Sequence, residues 1–138
     1  MESHHLSPQN QARLKERVSS YEELQTLLFA LREQTPWSLE DAARRLRLGE
    51  PSLAEAVEDL VSEGFLAATV DEESGVRRFV YRPAEPELAE LCERLAVAIE
   101  RDPLHVFDVM NKHALERMRT SAARAFAGAF VLGRKKDG

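Results

Sequence analysis

The chain's 138 residues suffice for one domain with a core and one or two accessory helices, and 43% hydrophobic with 31% charged content excludes a disordered protein. A single cysteine, Cys92, excludes an internal disulfide and a multi-cysteine zinc site. The net charge of −5 restricts nucleic-acid binding to a face on which the 19 Lys and Arg residues gather, so their placement matters more than their number.

Residues 1–18 are polar, with Leu6, Leu14 and Val18 the large apolar exceptions. Gln11 to Arg17 has a composition that extends a helix. Ser7-Pro8 and the pair His4-His5 read as a flexible lead-in, the histidines solvated for want of a third metal ligand. Ser20-Tyr21-Glu22-Glu23 has capping-box form, a hydroxyl to close the first turn and a glutamate three residues on. Leu24, Leu27, Leu28 and Leu31 follow at helical spacing. Thr35-Pro36 ends this first helix, and Trp37 is expected to anchor the corner.

Ser38, with Asp41 three residues on, begins a second helix that buries Leu39, Ala42, Ala43 and Leu46 and turns Arg44, Arg45 and Arg47 outward. Gly49 permits a turn, and Glu50-Pro51 opens a third helix with Leu53, Ala56, Val57 and Leu60 as its buried stripe. Gly64 fits a left-handed cap that returns Phe65 and Leu66 to the core. Leu66, Ala68 and Val70 then alternate, as do Phe79 and Tyr81, around the turn formers Asp71 to Gly75, which predicts a β-hairpin. Pro83 and Pro86 close the unit.

Beyond it, Leu88, Leu91, Leu95 and Ile99 recur at helical spacing. Asp102-Pro103 opens another helix with Leu104, Phe107 and Met110 as its stripe and a break near Asn111. A last helix over 114–132 carries Leu115, Met118, Ala122, Phe126 and Phe130, and Gly133 ends it before a basic tail, Arg134-Lys135-Lys136. The chain thus divides into a polar lead-in (1–18), a helix-turn-helix unit with its hairpin (19–83) and a C-terminal helical region that docks or dimerises (84–138). The fold class is mainly α with a small β-hairpin.

No phosphate loop, dinucleotide fingerprint, HExxH or nucleophile elbow is present. Cys92 sits in an amphipathic helix, where a small buried hydrophobe is the usual role. No catalytic constellation, metal site or cofactor is expected, and an enzyme is rejected. No apolar run nears the roughly 18 residues of a membrane span, and the start of the chain lacks the apolar centre of a signal peptide. A cytoplasmic location is expected.

Leu46, Leu48, Pro51-Ser52, Val57, Leu60 and Glu63-Gly64-Phe65-Leu66 resemble the turn, reading helix and exit of the MarR and ArsR families of bacterial regulators, over residues 20–83. The resemblance implies a winged helix-turn-helix core and a transcriptional regulator that holds duplex DNA. In those families the exposed face of the third helix carries donors to phosphates and base edges. Here the matching positions are Ala54, Glu55, Glu58 and Asp59, and residues 50–63 hold five acids with no Lys or Arg.

Two like charges about 4 Å apart cost roughly 1 kcal/mol in water, against a specific-site margin of about 4–10 kcal/mol. An acidic reading helix therefore makes DNA binding weak or unconventional. If DNA is bound, the phosphate contacts are Arg44, Arg45, Arg47, Arg77 and Arg78, with Ser52 near the groove; otherwise these arginines pair with neighbouring acids. The alternative is a protein-interaction module in which Glu55, Glu58 and Asp59 meet a basic protein partner. From Lys112 to Lys136 seven bases face one acid. Arg117 and Arg124 are the partner-contact candidates there, and a homodimer through the C-terminal helices is expected.

Overall fold

The computed structural model describes residues 5–137, and the side chains of residues 5–125. Its first helix, α1 (Pro8–Arg17), covers Gln11 to Arg17, whose composition extends a helix, and reaches back to Ser7-Pro8, where a flexible lead-in is expected. Ser7 Oγ accepts from the Asn10 N–H over 3.1 Å, and Pro8 occupies the first turn, where its missing N–H costs nothing. Leu6, Asn10, Leu14 and Val18 are buried. This stripe is one residue wide and includes an asparagine, so it reads as polar; the surface that buries it comes from α5 (Pro86–Arg101) and α6 (Pro103–Asp137).

The next helix, α2 (Tyr21–Arg32), starts as its cap predicts. Ser20 Oγ accepts from the Glu23 N–H at 3.1 Å. The Glu23 carboxylate, 3% exposed, accepts from the Ser19 N–H and from the hydroxyls of Ser19 and Ser20. The helix ends at Arg32, short of Thr35-Pro36. Trp37 and Ser38 form a two-residue strand, β1, that the sequence did not suggest. A strand this short has no periodicity to detect and exists only through its partner.

Ser38 Oγ then accepts from the Asp41 N–H at 3.2 Å and caps α3 (Leu39–Leu46). The left-handed turn after α3 falls on Arg47 (φ 57°), not on Gly49, which sits at φ −66° as the N-cap of α4 (Glu50–Ser62). Leu53, Ala56, Val57 and Leu60 are buried as expected, whereas Leu39 and Leu46 are half-buried. Gly64 leaves α4 at φ +91°, and a Cβ there would meet Ala84 Cβ at 3.2 Å and Leu88 Cδ1 at 3.3 Å.

The hairpin consists of β2 (Leu66–Val70) and β3 (Arg77–Tyr81), antiparallel, with Leu66 opposite Tyr81 and Val70 opposite Arg77. With β1 on the other side of β3, opposing Trp37 to Phe79, the sheet has three strands in the order β1-β3-β2. Among the described residues, six helices and this small antiparallel sheet make a winged helix.

No break occurs at Asn111 and no end at Gly133, because α6 is one continuous helix. Its buried face is Val106, Val109, Met110 and His113, while Leu104 and Phe107 are exposed. Of the stripe expected from Leu104, Phe107 and Met110, Met110 is buried, whereas Leu104 and Phe107, together with Leu115 and Met118 of the stripe expected for the last helix, lie about half a turn away on the opposite face. The expectations for Phe126, Phe130, Arg134, Lys135 and Lys136 concern side chains outside the described residues. No helix among the described residues is long and apolar enough to cross a membrane.

Leu60, fully buried under α4, tests this packing. Leu60→Ala should cost about 2–5 kcal/mol and lower the urea midpoint, whereas Ser52→Ala on the exposed face should stay within about 0.5 kcal/mol.

Candidate nucleic-acid interface

Three elements frame the surface that a winged helix presents to nucleic acid: α3, the exposed face of α4, and the hairpin. The cations on this surface are mostly engaged. Arg44 reaches Asp41 Oδ1 at 2.6 Å, although its side chain remains 76% exposed. Arg45 lies 2.9 Å from Glu33 Oε2 and 3.5 Å from Asp41 Oδ2, with its guanidinium 4.9 Å from the Phe29 ring centroid. The hydrogen bond to Glu33 raises its already high pKa further. On the hairpin, Arg77 pairs with Glu58 of α4 and lies over the Phe79 ring at 5.0 Å. Arg78 stands 3.9 Å from Asp71. Asp71 itself is held below the usual carboxylate range, first by the backbone N–H of Glu73. Arg47, exposed on its left-handed turn, has no ion pair among the described residues.

The acids divide differently. Glu58 is neutralised by Arg77, and Glu63 by Arg17 of α1 at 3.1 Å. Glu50, Glu55 and Asp59 have no cationic partner among the described residues. Two of these, Glu55 and Asp59, line a groove of about 360 Å³ against the start of α2, where the exposed Glu22 adds a further acid and Glu23, its carboxylate buried under Ser19 and Ser20, also lines the wall. Ser52 opens onto the same groove. The negative face is thus wider than α4 alone. Glu22 and Glu23 read in sequence only as first-turn acids of α2, since nothing local indicates what lies across from them.

The structure therefore brings Glu58 together with Arg77, one expected to face a protein partner and the other DNA. Opposite charges one hairpin apart find each other when the wing folds onto α4. Arg117 is also drawn inward: it donates to the backbone carbonyls of Lys15 (3.0 Å), Val18 (3.2 Å) and Ser19 (3.0 Å), closing the C-terminal end of α1. Arg124 remains exposed on α6, beside a crevice that Lys15 and Glu116 also line. Cys92 is fully buried, and burial pushes its thiol up to about 11, so it carries no thiolate at neutral pH. No group of three His, Cys, Asp or Glu among the described residues is arranged to hold a metal.

No family model matches the sequence, and neither does any curated protein. Solved structures do match. The adhesin competence repressor AdcR from Streptococcus pyogenes aligns over 86% of this chain and 82% of its own, at 17% identity and a TM-score of 0.50. A mutant of MepR from S. aureus aligns over 88% of both chains at 13% identity, with a TM-score of 0.54. A second MepR mutant, bound to an oligodeoxyribonucleotide, covers 88% of this chain and 87% of its own at 14% identity and 0.51. At such identities the likeness is one of fold: the chain has a winged helix-turn-helix fold like that of these proteins.

The Glu58–Arg77 pair ties the wing to α4 across two half-exposed side chains. A double-mutant cycle with Glu58→Gln and Arg77→Gln should give a coupling of about 0.2–1 kcal/mol that shrinks with added salt.

Proposed function

We propose that the protein is a cytoplasmic transcriptional regulator that acts as a homodimer and meets duplex DNA weakly, through the flanks of the helix-turn-helix rather than by ordinary insertion of α4. One observation carries this reading: a winged-helix frame whose reading helix shows Glu50, Glu55 and Asp59 without cationic partners among the described residues. Arg44, Arg47 and Arg78 are the phosphate contacts in this scheme, since their charges are the most accessible or the least tightly paired. Arg45 and Arg77 would first have to leave Glu33 and Glu58. That one MepR structure holds an oligodeoxyribonucleotide supports the use of this frame for DNA.

The dimer rests on α6. Leu104 (72% exposed), Phe107, Leu115 (53%) and Met118 (66%) share one face, opposite the face buried against the rest of the chain. A helix apolar on two opposite sides needs two partners. A second reading, a module that holds a basic protein in the groove between α4 and α2, is favoured by the acids Glu22, Glu55 and Asp59 gathered there.

Fluorescence anisotropy with mixed duplex DNA across a salt series separates the two readings. Three phosphate contacts give a log–log slope of about −3. Absence of binding at about 50 mM salt would sink the DNA reading. Glu55→Gln with Asp59→Asn removes two repulsions of roughly 1 kcal/mol each, so DNA affinity should rise at least about tenfold. Light scattering should give the mass of two 15.6-kDa chains, and Leu115→Lys with Met118→Lys should reduce it to one.

A further inference from the structure

The segment from His5 to Val18 is held on α6 at two points, each built around a histidine. At the first, the His5 and His105 rings stack with centroids 3.9 Å apart and planes 3° from parallel. The Leu6 N–H donates to His105 Nε2 over 2.9 Å, so that nitrogen must keep its lone pair. His5 Nε2 lies 2.8 Å from Asp102 Oδ2, and Asp102 Oδ1 accepts from the His105 backbone N–H at 3.3 Å. Leu6, whose N–H makes this bond, is 4% exposed.

The second point lies about two turns along α6. His113 is 5% exposed, and its Nδ1 is buried without a hydrogen-bond partner among the described residues. Lys15 faces it from α1, and Lys112, Glu116 and Arg117 from α6. Lys15 pairs with Glu116, and Arg117 closes the end of α1. A proton on His113 would add a cation to a site that already holds three beside one acid.

We propose that the docking of residues 5–18 onto α6 is an acid-sensitive latch, closed while His105 and His113 are neutral and released as they take up protons. Protonated His105 loses the acceptor that Leu6 needs and places its charge against the stacked His5 ring, with Asp102 and Asp108 as the opposing carboxylates. Release would uncover Leu6, Leu14 and Val18 and the α5–α6 surface beneath them.

The direction follows from linkage. Burial, first of all, holds both imidazoles below their ordinary value of 6.5. A histidine depressed in the docked state binds protons better when undocked, so its contribution is complete above 6.5 and fades as pH falls below it. Asp102 and Glu116 are also lowered, from 3.8 and 4.5, chiefly by hydrogen bonds from His5 and Lys15, so they fade only under stronger acid. The interval from pH 7.5 to about 5.2 therefore isolates the histidines. The latch is independent of whether DNA is bound.

Amide hydrogen exchange of the full chain, expressed as protection factors at pH 7.5 and 5.2, tests it. Protection over residues 6–18 should fall at pH 5.2, by up to about twentyfold for each histidine, the limit for a docked state that excludes the proton. Protection in α2–α4 should hold. In His105→Gln, which keeps an acceptor for Leu6 without titrating, the drop should shrink; adding His113→Leu should abolish it. Equal protection at both pH values in the wild type overturns the proposal. So does loss spread evenly through α2–α4, or the same drop in His105→Gln as in the wild type, a comparison that stands if the double variant fails to fold.

Discussion

The junction of Trp37 with Phe79 and Phe29 sets the frame on which the other elements depend. The indole, 2% exposed, packs against the Phe29 ring at 5.3 Å and the Phe79 ring at 5.4 Å. It therefore joins α2, the start of α3 and the central strand of the wing in one contact, and β1 repeats the connection through the backbone. Burying an indole of about 200 Å² is worth roughly 5 kcal/mol. Its Nε1–H lacks a partner among the described residues, which costs about 1–3 kcal/mol. Burial wins, so the anchor holds despite the orphaned donor. Once wing and α3 are fixed, α4 has one place to lie, and its acidic face is carried to the position that reads nucleic acid in this fold.

On that face electrostatics, not shape, decides what can approach. Among the described residues, Arg44, Arg45, Arg77 and Arg78 each lie near an acid whereas Arg47 does not, and of the acids of α4 Glu58 lies near an arginine whereas Glu50, Glu55 and Asp59 do not. Exposed pairs contribute about 1 kcal/mol or less to stability. Their larger effect is to remove cations from the pool that a polyanion would use. An approaching phosphate must compete with Glu33 for Arg45 and with Glu58 for Arg77, in a field set by the carboxylates of the α2–α4 groove. The same frame that carries a donor-rich helix in a DNA-binding regulator here carries an acceptor-rich one.

The long helix α6 links the two ends of the chain. Its inner face, Val106, Val109, Met110 and His113, packs inward, where α5 and α1 lie against the helix, and Arg117 and Lys15 add polar ties to α1. Its outer apolar face points away from the core. Seating of α1 therefore determines how much of α6 is covered, and proton uptake at His105 and His113 bears on that seating.

Local signals in the sequence determined the helix starts. Ser20 and Ser38 cap α2 and α3, and Gly64 leaves α4, because a hydroxyl acceptor or a positive φ depends only on adjacent backbone. The buried stripe of α4 and the hairpin around Asp71 to Gly75 were legible for the same reason: their periods lie within a few residues. Four features were decided by tertiary structure alone: β1, the docking of α1, the side of α6 that faces the core, and the pairing of Arg77 with Glu58. The α6 stripe shows why. Leu104, Phe107, Leu115 and Met118 make a coherent helical pattern, and so do Val106, Val109, Met110 and His113. Periodicity says that a helix is amphipathic, but when two faces are apolar only the shape of what it packs against chooses between them. The acidity of α4 was plain in its residues, while the number of those charges left uncompensated depended on arginines that folding brings from α1 and the wing.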